Sequence, residues 1–257
     1  MESISRTWTE RRNWIIAASI MVAIGFAAAF AVQGTLSSYK ERKLETVFPD
    51  PASPTEKSKI LIKTNDGQEL AIFLGDSRVA RWKPLPVLPG VTIATSGRGG
   101  DTIQQIGLRF EQDVKVHEPE LVVIQAGVND LVVASLFPER STEIIENFKS
   151  KLCEIVLELE TNGTKLILMT IVRPSKPSFL RRVVWSDAIF SHLDDANAFI
   201  RSLARFDHVT VFDADALLSS GNETLPAKLA KDTLHFEPEA YELLNSHLEK
   251  LLPSGKD

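Results

Sequence analysis

The sequence predicts an α/β fold: a three-layer α/β/α, flavodoxin-like domain on a five-stranded parallel sheet, preceded by one N-terminal transmembrane or signal helix. Three observations carry this reading. Short, near-continuous apolar runs alternate with longer runs of helical period, the pattern of a parallel sheet covered by helices on both faces. An uncharged apolar stretch, Trp14 to Val32, precedes them. Between the two lies a polar segment with Pro49, Pro51 and Pro54, which cannot bury a core and favours extended backbone.

A chain of 257 residues with a 44% hydrophobic share allows one substantial domain plus an appendage. The formal net charge of -5 lacks the basic signature of a nucleic-acid binder, so no nucleic-acid partner is expected. The single cysteine, Cys153, excludes an internal disulfide framework, and its place among Phe148, Leu152, Ile155 and Val156 reads as a buried structural thiol. The five histidines are scattered and lack cysteine partners, so neither a metal nor another cofactor is expected.

In chain order, residues 1–13 are polar and carry Arg6, Arg11 and Arg12; they are read as a cytoplasmic N-terminus. Residues 14–32 span about 28 Å as a helix at ~1.5 Å per residue, enough to cross the hydrocarbon core of a bilayer. Two readings compete. The length of the run and Trp14 at its start favour an uncleaved anchor, whereas Ala29-Phe30-Ala31 offers a small-x-small site for signal cleavage. Lys40, Arg42 and Lys43 follow the span, so basic residues flank it on both sides and charge alone does not orient it.

Residues 33–58 are read as a stalk and residues 59–257 as the globular domain, with Ile60-Leu61-Ile62 and the turn Asn65-Asp66-Gly67 leading into it. Strands are predicted over Leu70–Leu74, Val91–Ala94, Leu121–Gln125, Lys165–Ile171 and Val209–Phe212. Ile103, Ile106, Phe110 and Val114 mark one helix. Ile144, Ile145, Phe148, Leu152, Ile155 and Leu159 mark another, stopped by Asn162-Gly163. A last helix starts near Pro238 and buries Tyr241, Leu244, Leu248 and Leu251.

Chemistry concentrates in two distant stretches. Gly75-Asp76-Ser77 follows the first strand, placing a serine where α/β sheets hold their ligands. Asp232-Thr233-Leu234-His235 supplies a histidine with an aspartate three residues earlier. Ser77, His235 and Asp232 are the parts of a nucleophile, a base and an orienting carboxylate. Alone, Gly-Asp-Ser is also a common turn composition, and the Gly-x-Ser-x-Gly elbow of ordinary α/β-hydrolases is absent around Ser77. Two further loops, Gly97-Arg98-Gly99-Gly100-Asp101-Thr102 and Gln125-Ala126-Gly127-Val128-Asn129-Asp130, each follow a strand.

With these stretches in order, residues 70 to 252 resemble the SGNH (GDSL-type) hydrolase and esterase family, named for residues that are here Ser77, Gly100, Asn129 and His235. The resemblance implies an oxyanion hole made by the Ser77 and Gly100 N–H groups and the Asn129 side-chain amide, with Asp232 orienting His235. One block departs from the pattern. Thr95 stands where an asparagine is usual and the Arg98-Gly99 pair replaces an apolar residue, so Gly99 is an alternative donor to Gly100.

The implied function is a membrane-tethered, extracytoplasmic serine esterase (or one secreted after signal cleavage). Its partner is an ester substrate, with small acyl groups such as acetyl on an envelope polysaccharide as the leading case. A lipase or thioesterase acting on acyl chains, and a non-catalytic envelope binding module, are the alternatives. The residue readings around this core are open. Asn129 taken alone could equally cap a helix, and the resemblance puts its oxyanion role first; Asp76 and Asp130 are read as loop holders, Asp101 as a helix cap, and Asp213 and Asp215 as loop residues. The segment from Arg173 to Trp185 offers Arg173 and Trp185 as substrate-binding candidates, or is a lid or a solvated loop. Arg78 is a candidate for a substrate carboxylate or a surface salt bridge.

Overall fold

The computed structural model describes residues 2–50, 60, 62, 67–178 and 181–252. The chain divides into two units, residues 1–44 and 45–257. The first unit is a single helix. Helix α1 runs Glu2–Val47, 46 residues, or about 69 Å. Within it, residues Ser19–Val47 contain a stretch of mean hydropathy 1.8, long and apolar enough for one membrane crossing by length and composition. The helix continues beyond Val32 through the first half of the expected stalk. Leu, Lys, Glu and Arg there are good helix formers, and no proline intervenes before Pro49. Residues 51–58 of the stalk, and most of the strand and turn expected over 60–67, lie outside the described residues.

The second unit holds a parallel sheet of five strands: β1 Glu69–Gly75, β2 Val91–Gly97, β3 Leu121–Gln125, β4 Lys165–Met169 and β5 Val209–Phe212. Their spatial order is β2-β1-β3-β4-β5, with every pair parallel, the flavodoxin-like winding. β3 and β5 have the expected bounds, while β2 extends to Gly97 because it pairs with β1 residue for residue. β4 stops at Met169, two residues early. The Thr170 N–H still donates to the Phe212 carbonyl at 3.0 Å, while its hydroxyl donates to the Asp213 carboxylate (3.0 Å) and accepts the Asp215 N–H (2.9 Å), tying the end of β4 to the start of the helix after β5.

The helices are α2 Ser77–Ala80, α3 Ile103–Asp113, α4 Val128–Leu136, α5 Ser141–Thr161, α6 Ala188–Ser202, α7 Ala214–Ser219 and α8 Pro238–Leu251. Side chains alternate across each strand. Ala71, Phe73, Val123, Ile167 and Met169 pack with Tyr241, Leu244 and Leu248 of α8 on one face. Ile72, Val122, Ile124, Leu166 and Leu168, all buried, point to the other. Each fully buried Leu, Ile or Phe contributes roughly 1.5–3 kcal/mol, and that continuous core fixes where the strand ends lie. Cys153 is half-buried on α5, more open than the sequence pattern suggested.

Candidate active site

The C-terminal ends of β1 and β3 lie on either side of the point where strand order reverses, the place where open α/β sheets bind ligands. β1 ends at Gly75, and no larger residue is tolerated there: a Cβ would sit 2.1 Å from the Gln125 carbonyl oxygen on β3. Asp76 then caps α2 by accepting the Arg78 N–H at 2.8 Å. Ser77 is the first residue of that short helix, so its own N–H has no intrahelical acceptor.

His235 reaches Ser77 from a loop 158 residues away, its Nε2 lying 3.0 Å from Ser77 Oγ. The loop is shaped by Asp232, whose Oδ1 accepts the N–H groups of Leu234 (2.8 Å) and His235 (3.0 Å), while Oδ2 lies 2.7 Å from His235 Nδ1. An ionised carboxylate can only accept, so Nδ1 carries the proton and Nε2 of the neutral ring is left to accept the serine hydroxyl. Burial pushes the Asp232 carboxyl up, but the hydrogen bonds from the His235 ring and the Leu234 and His235 amides outweigh it and hold the group down to about 2. It therefore stays charged at neutral pH.

The loop between β2 and α3 approaches the same corner. Gly100 adopts φ +86°, a conformation that favours glycine although a Cβ there would meet open space. Asn129, the second residue of α4, donates from Nδ2 to the Asp101 carbonyl at 3.0 Å. An amide nitrogen carries two protons, so that bond leaves Asn129 a second donor. Asp130 accepts the Ile103 N–H through both oxygens (3.2 and 3.1 Å), capping α3 from another element. Two readings of these residues are corrected. The cap of α3 is Thr102, in a capping box with Gln105, and the Asp101 carboxylate instead takes Arg109 Nε–H at 2.8 Å. The cap of α4 is Gly127 rather than Asn129.

Arg78 is neither at a substrate position nor in a surface salt bridge. It is fully buried: Nε–H donates to the Leu234 carbonyl at 2.9 Å, and its guanidinium lies 4.6 Å from the centre of the Phe236 ring. Arg173 is likewise engaged, bonded to Asp215 at 2.7 to 3.1 Å. Asp213 caps α7 and Asp215 lies in its first turn, so these two are helix-start residues, not loop residues. Trp185 is half-buried with the Arg181 guanidinium 5.8 Å from its ring centre. Residues 179 and 180 of the same segment lie outside the described residues. The sequence reading passed over Arg109, a fully charged side chain on the apolar face of α3 with Asp113 four residues on; that misplaced charge pair was the available signal.

Beside the His235 loop is a pocket of about 290 Å³ lined by Ser175, Lys176, Asn222, Thr224 and the Leu225-Pro226 pair. It is joined to the loop by the Ser175 N–H, which donates to the Thr233 carbonyl at 2.9 Å. Among the described residues, no three His, Cys, Asp or Glu side chains converge to hold a metal.

An open parallel α/β sheet with a serine, a histidine and a carboxylate converging at its ligand-bearing edge has the layout of a sheet-edge hydrolase. A sequence model of the GDSL-like lipase/acylhydrolase family matches residues 73–243, well over half of the chain, and the chain belongs to that family of ester-hydrolysing enzymes. It is 24% identical to an acetylxylan esterase of Geobacillus stearothermophilus over 151 residues, 57% of this chain and 65% of that enzyme, so it spans just under two thirds of that relative's length. The fold is shared with a GDSL-like lipase from Bacteroides thetaiotaomicron (TM-score 0.59, 22% identity, 75% of this chain and 91% of that one). It is shared equally with the crystal structure of an acetylxylan esterase from Geobacillus stearothermophilus (TM-score 0.58, 21% identity, 74% and 96%).

Proposed function

We propose that the chain hydrolyses small acyl esters, acetyl groups on a glycan foremost, with Ser77 as nucleophile, His235 as general base and Asp232 as the carboxylate that orients it. The observation that carries this reading is the unbroken relay from Asp232 Oδ2 through His235 to Ser77 Oγ, at 2.7 and 3.0 Å. Ser77 Oγ attacks the ester carbonyl carbon while its proton passes to His235 Nε2, and Asp232 stabilises the imidazolium formed. The carbonyl oxygen takes up the negative charge, facing the N–H groups of Ser77 and Gly100 (or Gly99) and the second amide proton of Asn129. Each such donor contributes roughly 3 kcal/mol in comparable sites. Collapse returns the proton to the leaving alkoxide, releasing the alcohol. Water, deprotonated by His235, then cleaves the acyl-serine to the free acid and regenerates the hydroxyl.

The acetylxylan esterase relative supports acetyl as the acyl group and a polysaccharide as its carrier. The N-terminal helix, long and apolar enough for one crossing, supports membrane tethering, or secretion if it is cleaved; the domain is proposed to lie outside the cytoplasm in either case. A mature N-terminus near Val32, read by mass spectrometry, rules out the anchor.

The test is covalent labelling of the detergent-solubilised chain by a fluorophosphonate, with Ser77→Ala and His235→Ala alongside, followed by a screen of acetylated oligosaccharides against short and long acyl esters. The expected outcome is label on Ser77 and turnover reduced about 10⁴-fold or more in both variants. A folded chain that stays unlabelled indicates a binding module, and a preference for long acyl chains indicates a lipase.

A further inference from the structure

We propose that Arg109 is the positioning residue of the oxyanion hole, one rigid group that sets the separation between the Ser77 and Gly100 donors; this rests on the hydrolase reading above. Its place on α3 is an unusual one for a charge. The side chain is 1% exposed, and Ile106 and Phe110 on the same helix are buried beside it. A buried guanidinium is unfavourable unless every donor finds an acceptor.

Here all three nitrogens are engaged. Nε donates to Asp101 at 2.8 Å. One terminal nitrogen donates to Asp113 (2.8 Å), to the Ser96 carbonyl (3.2 Å) and to the Ser96 hydroxyl. The other donates to the carbonyls of Gly75 (2.9 Å) and Ser96 (3.2 Å).

The positions of these acceptors give the network its meaning. Gly75 lies two residues before Ser77, and Asp101 directly follows Gly100. Asp101 also accepts Asn129, through its carbonyl, so the third donor is held in the same frame. A planar guanidinium cannot shorten or bend between its nitrogens. Fastened to the end of β1 on one edge and to the Gly100 loop on the other, it fixes the gap between the two backbone N–H groups. Stability alone does not require this choice, because well-packed apolar residues often replace a buried ion pair without loss. Donor spacing does require it, since misplacement by about 1 Å can lower a rate 100-fold.

Asp101→Ala tests the idea most cleanly. It cuts the tie at the loop and leaves Arg109 with Asp113, Ser96 and Gly75, so the core network survives. Asp101→Asn keeps an acceptor for Nε–H, and Arg109→Lys replaces the fork by a single point of charge. The readouts are kcat and KM on a short acyl ester, the melting temperature, and affinity for an aryl boronic acid. That probe joins boron to Ser77 Oγ, sends the serine proton to His235 and leaves a tetrahedral anion facing the donors.

For Asp101→Ala and Arg109→Lys, kcat is expected to fall about tenfold to 100-fold with KM within about twofold, and boronate affinity to fall in parallel. Asp101→Asn is expected to recover most of both. The inference is overturned if Asp101→Ala keeps kcat and boronate affinity within twofold of wild type, or if kcat falls while boronate affinity does not. A wild-type chain that hydrolyses no ester fails before any variant is compared; it sinks the hydrolase reading and the positioning role with it.

Discussion

The residue after a serine on a helix start points about 100° away from it around the helix axis, at 3.6 residues per turn. For Ser77 at the cleft, that turn carries Arg78 inward. There it meets the residues on both sides of His235, bonding the Leu234 carbonyl and stacking on Phe236, while its own carbonyl accepts the Tyr241 hydroxyl at 2.8 Å. Ser77 and the His235 loop, the proposed nucleophile and base, are thereby fastened together by the residue that follows the serine. Arg78→Met keeps the bulk and removes the Nε donor and the charge; it is expected to lower kcat about tenfold with KM little changed. An unaltered kcat with a lowered melting temperature would reduce Arg78 to a packing role. Asp232→Asn is expected to cost about 10⁴-fold in kcat, by favouring the tautomer with Nδ1 bare. Ser77, Asp232 and His235 were legible because each stands in a short stretch whose composition is unusual. Arg78 and Arg109 were not, since their acceptors Leu234 and Gly75 lie 156 and 34 residues away; Arg109 carried only the indirect signal of an Asp113 partner four residues on along an apolar helix face.

At the scale of elements, β3 could be read end to end because both of its faces are covered and apolarity starts and stops with the ladder, and β5 because β-branched and aromatic residues fill it although Thr210 is exposed. Apolarity misled for α1, where the greasy run ends at Val32 but backbone hydrogen bonding continues to Val47. The last turn of that helix, in the globular unit, has a structural task. The Thr46 carbonyl accepts the Thr102 hydroxyl, Val47 is 2% exposed, and the Phe48 ring lies 4.2 Å from the Arg140 guanidinium. Thr102 is the cap of α3, two residues past Gly100, so residues 45–48 brace the loop proposed to bind the oxyanion. A fragment beginning at residue 57 lacks that brace. It is expected to melt about 2–4 °C or more below one beginning at residue 45, the shift that about 1 kcal/mol produces in a domain of this size. Equal melting temperatures and equal kcat would show the brace to be dispensable.

Over the whole molecule, the corner that holds the site also concentrates buried carboxyl groups, and their ionisation ties global stability to pH. Burial raises Asp76 from 3.8 to about 6, against the pull of Arg78, and raises Asp130 to about 8, against the bonds it accepts from Ile103 and its own amide. A folded-state value above the unfolded one means that the folded chain holds the proton more tightly. The stability so contributed is complete below about pH 4 and is lost as pH rises through about 6 for Asp76 and about 8 for Asp130. Asp232 runs the other way: held near 2, it contributes stability above about pH 4 that is lost as pH falls toward 2. Asp130→Asn isolates the largest of these effects. It removes the ionisation and keeps a carbonyl oxygen to accept the Ile103 N–H. Thermal melts of wild type and variant between pH 5 and pH 9 should diverge, wild type losing stability relative to Asp130→Asn as pH rises and the gap levelling off above about pH 8. Parallel profiles would mean that Asp130 titrates at its ordinary value, which its burial beneath the α3 start makes physically unfavourable.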